Sequence, residues 1–421
     1  MKSKENYAAL IGIDWADKSH AIALRDTASQ KLEETILDSN PSAISQWVHK
    51  LSKRYPSQDI AVCVELSRGA LVSQLSQFEF IHLYPLNPVT SAFFRKAFKP
   101  SGAKDDPSDA QRHLRILEHH MEQLTRWQSS SAADQRLTLL CENRRKLVML
   151  QVDVRNKITS ALKDYFPQAL EYVGDDVAAP MGCAFLLKWG DLASLKRAKP
   201  ETIRKFYHTH GSRSKKRIDE RLESIKRSES VSDEAALVEP SRLYVQALAK
   251  QLEALCASIK AAEAALEEAF QDHPDAELWE SLPGAGSVLA PRLAIAWGSD
   301  RARFTSGQDM QTYSGVAPVR NASGKRETIF RRNKRPRFLH QTFWEHAKLS
   351  AIHCEWAKEY VEGQVAKGKR RSSAYRSLAF KWQRIMYAMW KSGKSYDESY
   401  YQRALRKSGS PLAKPEEKAV A

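Results

Sequence analysis

AALIGID, Ala8–Asp14, is a continuous apolar run that ends in an acid, and it indicates the architecture of the first part of the chain. Apolar residues without alternation are typical of a strand that is buried on both faces of a sheet. IAVCVE at Ile60–Glu65 repeats this pattern, and Phe80–Leu86 is a third apolar run. Helix-like segments separate the runs at Ser42–Leu51 and Leu66–Phe78. The sequence therefore predicts an α/β domain in which helices pack on a sheet.

The rest of the chain is predicted to be mostly helical. Pro107–Phe166 has helical character, and Ser241–Phe270 carries apolar residues at alternating steps of three and four, the spacing of a coiled-coil seam. The seam residues are Val245, Leu248, Leu252, Leu255, Ile259, Ala262, Leu266 and Ala269. Such a seam pairs either with the earlier helix, as an antiparallel hairpin, or with another protomer. We expect four regions: an α/β domain at 1–130, a helical coiled-coil domain at 131–275, a mostly helical domain at 276–407 and a disordered tail at 408–421.

Positive charge is concentrated near the C-terminus. The chain has 66 Lys and Arg against 50 Asp and Glu, and Gln311–Ala421 alone has 24 against 9. This excess predicts a polyanionic partner and favours nucleic acid. No apolar run is long enough to suggest a membrane span, and the N-terminus lacks the pattern of a signal peptide. The five dispersed cysteines form no Cys-x-x-Cys pair, which argues against disulfides or zinc and favours a reducing cytoplasm.

Acidic residues follow the predicted buried strands. Asp14 ends the first strand and Glu65 ends the second. Because the carboxyl ends of strands in open α/β sheets border the functional crevice, we expect these two acids to lie close together. Asp106 and Asp109, in KDDPSDA, are three positions apart and can share one face of a helical turn. The four carboxylates can converge on one or two Mg²⁺ or Mn²⁺ ions, which activate nucleophiles at phosphodiesters.

Each acid also has a simpler structural explanation. An Asp after a strand is often a turn residue, and Asp106 and Asp109 could cap a helix beside its positive dipole end. Asp105 is a further capping candidate. The joint pattern of two strand-end acids and a spaced acid pair is more specific than any single acid, so the sequence favours a metal site.

A second candidate site lies in YSGVAPVRNASGKRETIFRRNKRPR, Tyr313–Arg337. A serine hydroxyl can attack a phosphodiester when nearby cations stabilise the developing charge, and Ser323 lies among such cations. The alternative for Ser323 is a β-turn serine in a phosphate-binding loop, and Ser314 is a competing nucleophile. The cations expected to contact backbone phosphates are Arg320, Lys325, Arg326, Arg331, Arg332, Lys334, Arg335 and Arg337.

In this order the motifs resemble the transposases of the insertion sequence 110 family, and the resemblance covers nearly the whole chain. The N-terminal motifs are IGIDWADKSHAIALRD, VCVELSRGAL and AKDDPSDAQ. The C-terminal motifs are LPGAGSVLAPRLAIAWG and RFTSGQDMQTYSGVAPVRNASGKR. Two positions depart from the family pattern: Asp105 stands where Thr is usual, and Lys325 stands where a second Gly is more frequent.

The resemblance implies a fold and a mechanism. The first domain would be RuvC-like, with a ribonuclease H fold, and its four acids would hold Mg²⁺. Ser323 would form a phosphoserine link to DNA. The resemblance also implies a site shared across protomers, hence a dimer or tetramer joined through the seam helix. A non-coding bridge RNA would pair with target and donor DNA, which fits a chain without zinc fingers or an evident recognition helix. The implied location is the bacterial cytoplasm, at the nucleoid.

Two other functions are compatible with the sequence. A metal-dependent, junction-resolving nuclease would need only the acids, so Ser323→Ala would keep cleavage. A non-catalytic nucleic-acid scaffold would need neither set of residues, so replacing Asp14 or Glu65 with Ala would leave its activity unchanged. A recombinase would need both the acids and the serine.

Overall fold

The computed structural model describes residues 6–65, 68–98, 106–128, 131–174, 176–323, 326–333, 335–410 and 412–413. The chain divides into two compact units, residues 1–129 and 130–421. Among the described residues, no helix has both the length and the apolar character needed to cross a membrane. The predicted tail lies largely outside the described residues, at position 411 and at 414–421.

A five-stranded sheet forms the centre of the first unit. Its strands are β1 (Ala9–Asp14), β2 (Ser19–Asp26), β3 (Leu32–Asp38), β4 (Ile60–Val64) and β5 (Ile81–Pro85). The strand order is β3-β2-β1-β4-β5, in which β1, β2 and β3 pair antiparallel whereas β1, β4 and β5 pair parallel. Every residue of β4 is buried, as its unbroken apolar run predicts. The α/β prediction for this part of the chain is confirmed.

Helices cover both faces of this sheet. They are α1 (Pro41–Arg54), α2 (Ala70–Leu75), α3 (Pro88–Phe98) and α4 (Asp106–His120), and a short 3₁₀ helix, Met121–Gln123, follows. Alternate residues of β1 contribute to two cores: Ile11 packs on the α1 and α2 side, and Leu10 packs on the α4 side. Helix α4 approaches β1 closely at Gly12, where an added Cβ would lie 2.2 Å from the Ala110 carbonyl oxygen. Only glycine permits this contact.

The second unit is mostly helical. Its elements are α5 (Ala132–Tyr165), α6 (Ala169–Tyr172), α7 (Pro180–Lys188), α8 (Leu192–Lys196), α9 (Pro200–Thr209), α10 (Lys215–Arg227), α11 (Ala235–Gln271), α12 (Ala276–Glu280), α13 (Leu289–Trp297), α14 (Gly307–Tyr313), β6 (Val319–Ser323), β7 (Arg326–Phe330), α15 (Arg337–His353), α16 (Glu355–Ala366), α17 (Arg371–Ser392) and α18 (Glu398–Lys407). The two strands pair antiparallel. Helix α13 begins shortly after the LPGAG stretch, Leu282–Gly286.

Two cores share the long helices α5 and α11. One core joins the later half of α5 and the first half of α11 to α6–α10. The other joins their opposite ends to the C-terminal helices and contains five fully buried tryptophans: Trp279, Trp297, Trp356, Trp382 and Trp390. This arrangement requires α5 and α11 to run antiparallel, and contacts of Arg144 with Glu263 and of Gln151 with Cys256 agree with it.

The predicted seam on α11 is therefore buried by contacts within the same chain. Val245, Leu252 and Leu266 are fully buried in the two cores. The antiparallel-hairpin alternative is the one that the structure shows. The interpretation of these seam residues as the surface that joins protomers is wrong, because their side chains are already covered by helices of the same chain.

Two predicted helices have different boundaries in the structure. Pro107–Phe166 is not one helical segment, because α4 ends at His120 and α5 begins only at Ala132. Between them, the Trp127 amide donates a hydrogen bond to the Leu83 carbonyl oxygen at 2.8 Å, and this contact ties the connection to the sheet. Helix α2 is also shorter than the predicted Leu66–Phe78 segment.

Candidate functional site

Two of the predicted acids leave the sheet side by side. Asp14 is the last residue of β1, and Glu65 follows directly after β4. The two strands are parallel neighbours, and Ile13 and Val64 are paired in their register. Both acids are partly exposed. The sheet therefore places the two carboxyl-bearing residues at one edge, where the sequence predicts a metal site.

Helix α4 contributes the other two acids. Asp106 is its first residue, and the Asp106 side chain lies outside what the structure describes. Asp109 is buried, and its carboxylate forms an ion pair with the guanidinium of Arg112, which is also buried. The close contact at Gly12 holds this part of α4 against β1. A cation that binds the paired Asp109 oxygen would have to share it with Arg112 or displace that guanidinium.

His113 occupies the space between these elements. Its Nδ1 atom lies 2.9 Å from the Ile13 carbonyl oxygen, and its Nε2 atom lies 3.3 Å from the Ser91 hydroxyl and 3.9 Å from a Glu65 carboxylate oxygen. The ring is fully buried, and burial lowers the pKa of His113 below its usual value. Sequence reasoning missed this residue, although it lies one helical turn after Asp109.

The donor chemistry of this edge fits a hard divalent cation. Asp14, Glu65 and Asp109 offer carboxylate oxygens, which Mg²⁺ and Mn²⁺ prefer. Within the described parts of the chain, however, no three or more His, Cys, Asp or Glu side chains form a cluster that could hold a metal. The structure thus places three of the acids on neighbouring elements, and their role as a joint ligand set stays a prediction.

The predicted nucleophile ends a strand of a small hairpin in the second unit. Ser323 is the last residue of β6 and pairs in register with Arg326, the first residue of β7. Gly324 and Lys325 lie outside the described residues, and so do the side chains of Ser323 and Arg326. The backbone therefore places Ser323 beside the two-residue connection of the hairpin.

The competing serine is part of the core. Ser314 is fully buried, and its hydroxyl accepts a hydrogen bond from the Gln383 side-chain amide at 2.8 Å. The same hydroxyl donates to the Gln311 carbonyl oxygen. These hydrogen bonds account for a polar side chain in the core. Because the hydroxyl is buried, a DNA strand cannot reach it, so Ser323 is the better candidate for the nucleophile.

The predicted phosphate-binding cations follow the hairpin. Arg320 is exposed and pairs with Glu327 across the hairpin, at 2.7 Å between Nε and Oε1. Arg331 and Arg337 are exposed, Arg332 and Arg335 are half-buried, and Lys334 lies outside the described residues. The Arg335 guanidinium donates to the Arg332 carbonyl oxygen. Most of the predicted cations are thus present on or beside one surface segment.

Arg376 is a further cation that sequence reasoning did not assign to this surface. Burial, together with Arg331 and Arg376, lowers the pKa of Arg335, and burial and Arg331 lower the pKa of Arg376. The same three arginines add to burial in lowering the pKa of His340 to about 4. Such mutual repulsion between cations favours an anionic ligand. Helix α17 brings Arg376 to the segment from a distant part of the sequence, so no local pattern indicates it.

Comparison with known proteins gives matches over both units. A family model of the DEDD type for IS110 elements, described as Transposase, matches residues 11–167. A second, described as Transposase IS116/IS110/IS902 family, matches residues 276–362. The two models together match more than half of the chain.

Several proteins of insertion elements are similar to the chain. A mini-circle protein of Streptomyces coelicolor, named as a transposase for IS117, is 28% identical over 83% of this chain and 86% of its own length. A 43.6 kDa protein of the IS110 element from the same organism is 22% identical over 94% of this chain and 97% of its own length. A 42 kDa protein of IS900 from Mycobacterium paratuberculosis is 32% identical over 34% of this chain and 37% of its own length. The chain belongs to the IS110 family of insertion-element transposases.

Proposed function

We propose that this protein is the DNA recombinase of an insertion element and joins strands through a phosphoserine intermediate. One observation supports this most directly: the two regions that match the transposase models contain the two candidate sites. Residues 11–167 include the acids at the sheet edge, and residues 276–362 include Ser323. The alternatives of a nuclease and a scaffold each leave one or both of these sites without a role.

The first unit has the architecture expected of a RuvC-like domain. Its strand order, with an antiparallel β1–β2–β3 meander extended on the other side of β1 by parallel strands, supports a ribonuclease H fold. In such a sheet the carboxyl ends of the central strand β1 and of its parallel neighbour β4 lie at the same edge. The positions of Asp14 and Glu65 at those ends support a role in phosphodiester chemistry.

The four acids would hold Mg²⁺ or Mn²⁺ in the first unit. When bound, the cation supplies positive charge that stabilises a phosphodiester during displacement. Asp14 and Glu65 would orient the cation from the strand ends, and Asp106 and Asp109 would approach from α4. Arg112 neutralises Asp109 in the structure, so it would keep α4 against the sheet by limiting repulsion among the acids.

Ser323 would carry the covalent step. Its hydroxyl oxygen attacks a DNA phosphorus atom and loses its proton, while the bond from phosphorus to the departing deoxyribose oxygen breaks and that oxygen takes up a proton. Attack by a second deoxyribose hydroxyl then reverses the step, releases the serine and joins the new strands. The arginines from Arg331 to Arg337 would hold the backbone phosphates and stabilise the added negative charge.

A guide RNA and a second protomer would complete the system. Base pairing of a non-coding RNA with target and donor DNA would supply the sequence choice. Assembly into a dimer or tetramer would use a surface other than the α11 seam, because the seam is covered within the chain. The strongly basic C-terminal quarter supports binding of both kinds of nucleic acid.

A reconstituted recombination assay tests the proposal. The full-length protein is incubated with Mg²⁺, element-end DNA, target DNA and RNA transcribed from the element flanks. We expect joined products that disappear with Ser323→Ala and when the RNA is left out. Ser372→Ala, at an exposed serine of the same unit, is the matched control and should keep activity. Cleavage retained by Ser323→Ala without joining would identify a nuclease instead.

A further inference from the structure

We propose that His113 is a positioning residue that fixes the geometry of the acidic sheet edge for its cation. The inference rests on the metal-binding role proposed for that edge. His113 would not be a ligand; it would set where Asp14 and Glu65 stand relative to α4. Three contacts of one buried ring support this assignment.

The first contact fixes the end of β1. His113 Nδ1 lies 2.9 Å from the Ile13 carbonyl oxygen. Because a carbonyl oxygen only accepts, Nδ1 carries the hydrogen and donates it. Ile13 directly precedes Asp14, so this bond restrains the peptide from which the Asp14 side chain departs.

The second and third contacts bring the other ring edge to the end of β4. With the hydrogen on Nδ1, Nε2 of the neutral ring is an acceptor, and the Ser91 hydroxyl at 3.3 Å can donate to it. The Glu65 carboxylate oxygen is 3.9 Å from the same Nε2 atom, too far for a direct hydrogen bond. The neutral ring thus limits the positions that the Glu65 carboxylate can take, and it adds no positive charge beside that carboxylate.

The attachment of His113 to α4 makes this arrangement rigid. His113 lies one turn after Asp109, and the ring is fully buried. The helix cannot slide freely along β1, because the Gly12 contact leaves no room between the two backbones. One side chain therefore links the helix that carries Asp109 to both strand ends. Groups that orient metal ligands commonly change metal affinity or activity by about 10- to 100-fold when they are removed.

Mn²⁺ binding to the full-length protein tests this role. Free Mn²⁺ is measured by electron paramagnetic resonance while the protein is titrated, and thermal unfolding is recorded for each variant. We expect His113→Leu to weaken binding by about 10- to 100-fold. His113→Asn keeps a donor close to the position of Nδ1, so it should recover a large part of the affinity.

His82 provides the matched control in the same unit. It is also buried, and it contacts the Tyr7 hydroxyl and lies 3.7 Å from a carboxylate oxygen of Asp59, which is none of the four candidate ligands. His82→Leu should lower the melting temperature and leave Mn²⁺ affinity within about twofold of wild type. Equal loss of affinity in the His82→Leu and His113→Leu proteins, or full affinity in folded His113→Leu, would overturn the positioning role.

Asp14→Asn distinguishes failure of the positioning role from failure of the metal proposal. If wild-type binding of Mn²⁺ does not depend on Asp14, the proposed metal function and the role of His113 both fall. If binding depends on Asp14 but is insensitive to the His113 substitutions, only the positioning role falls.

Discussion

Ile13 of β1 and Val64 of β4 are register partners on neighbouring parallel strands, so the acids that follow them leave the sheet at one edge. Parallel strands point in the same direction, and their carboxyl ends coincide. This relationship turns two acids that are far apart in sequence, Asp14 and Glu65, into neighbours. Two adjacent carboxylates repel each other, and the proposed cation would relieve that repulsion.

Substitution of these acids should abolish activity and preserve the fold. Asp14→Asn and Glu65→Gln keep the size of each side chain and remove the charge that a cation requires. We expect loss of recombination in both proteins with unchanged circular dichroism. Asp17→Asn, at an exposed acid of the loop after β1, is the control and should remain active. Activity in the Asp14→Asn protein would contradict a metal-dependent role for this edge.

Gly12→Ala should destabilise the first unit. The new Cβ would lie 2.2 Å from the Ala110 carbonyl oxygen and 2.4 Å from the Leu114 amide nitrogen, so α4 must shift away from β1. Overpacking of this kind typically costs about 1–3 kcal/mol in the free energy of unfolding. Urea unfolding measures the loss.

Gly363→Ala is the control for this substitution. Gly363 lies inside α16, and a Cβ there would meet no atom within 4 Å. Alanine should be neutral or stabilise the helix by up to about 1 kcal/mol. Equal stability of the Gly12→Ala and wild-type proteins would show that α4 is not held against β1 in the way described.

Asp134 should stabilise the second unit in a pH-dependent manner. Its two carboxylate oxygens accept from His273 Nε2 at 3.0 Å and from the Ser299 hydroxyl at 2.7 Å. The hydrogen bond from His273 is the main cause that lowers the pKa of Asp134 below its ordinary 3.8. A carboxyl whose pKa is lower in the folded state stabilises the fold above its unfolded pKa. This contribution is lost as the pH falls from the unfolded pKa through the lower, folded pKa.

Asp134→Asn tests this linkage. At pH 7 the substitution should lower the free energy of unfolding by roughly 1–3 kcal/mol, because a charge-assisted hydrogen bond is lost. The difference from wild type should shrink as the pH falls below 3.8, where the wild-type carboxyl also becomes protonated. A difference that stays constant from pH 7 to pH 3 would contradict the assigned contribution.

Arg376 should contribute to binding of the nucleic-acid backbone. Each phosphate contact steepens the fall of affinity with salt, so Arg376→Gln should weaken DNA binding and reduce the slope of log affinity against log salt by about one. Arg204→Gln removes the same charge from an arginine paired with Asp219 and should leave the slope unchanged. Fluorescence anisotropy at several salt concentrations measures both slopes.

Features that depend on local sequence were predictable. The unbroken apolar runs predicted β1 and β4. The proximity of the acids at the ends of these strands follows from the geometry of neighbouring parallel strands. Heptad spacing identified the buried face of α11, but spacing alone does not say which surface covers it. In this chain α5 covers it, so the partner lies in the same polypeptide.

Features that depend on distant contacts were missed. His113 forms a hydrogen bond with Ile13, 100 positions away along the sequence, and no local pattern predicts that bond. Arg376 reaches the arginine segment only because α17 packs beside α15. The end of α4 at His120 was not predicted, because helical sequence resumes in α5. The hydrogen bond from the Trp127 amide to the Leu83 carbonyl oxygen, which ties the connection to the sheet, forms only in the folded unit.

The phosphoserine mechanism is tested by identification of the residue that becomes linked to DNA. The full-length protein is allowed to react with donor DNA, target DNA and RNA, the reaction is stopped with denaturant, and the nuclease-trimmed protein is examined by mass spectrometry. A phosphonucleotide attached to Ser323, absent from the Ser323→Ala protein, is the predicted result. Joined DNA products with no protein–DNA link, or with the link on another residue, would contradict the phosphoserine mechanism.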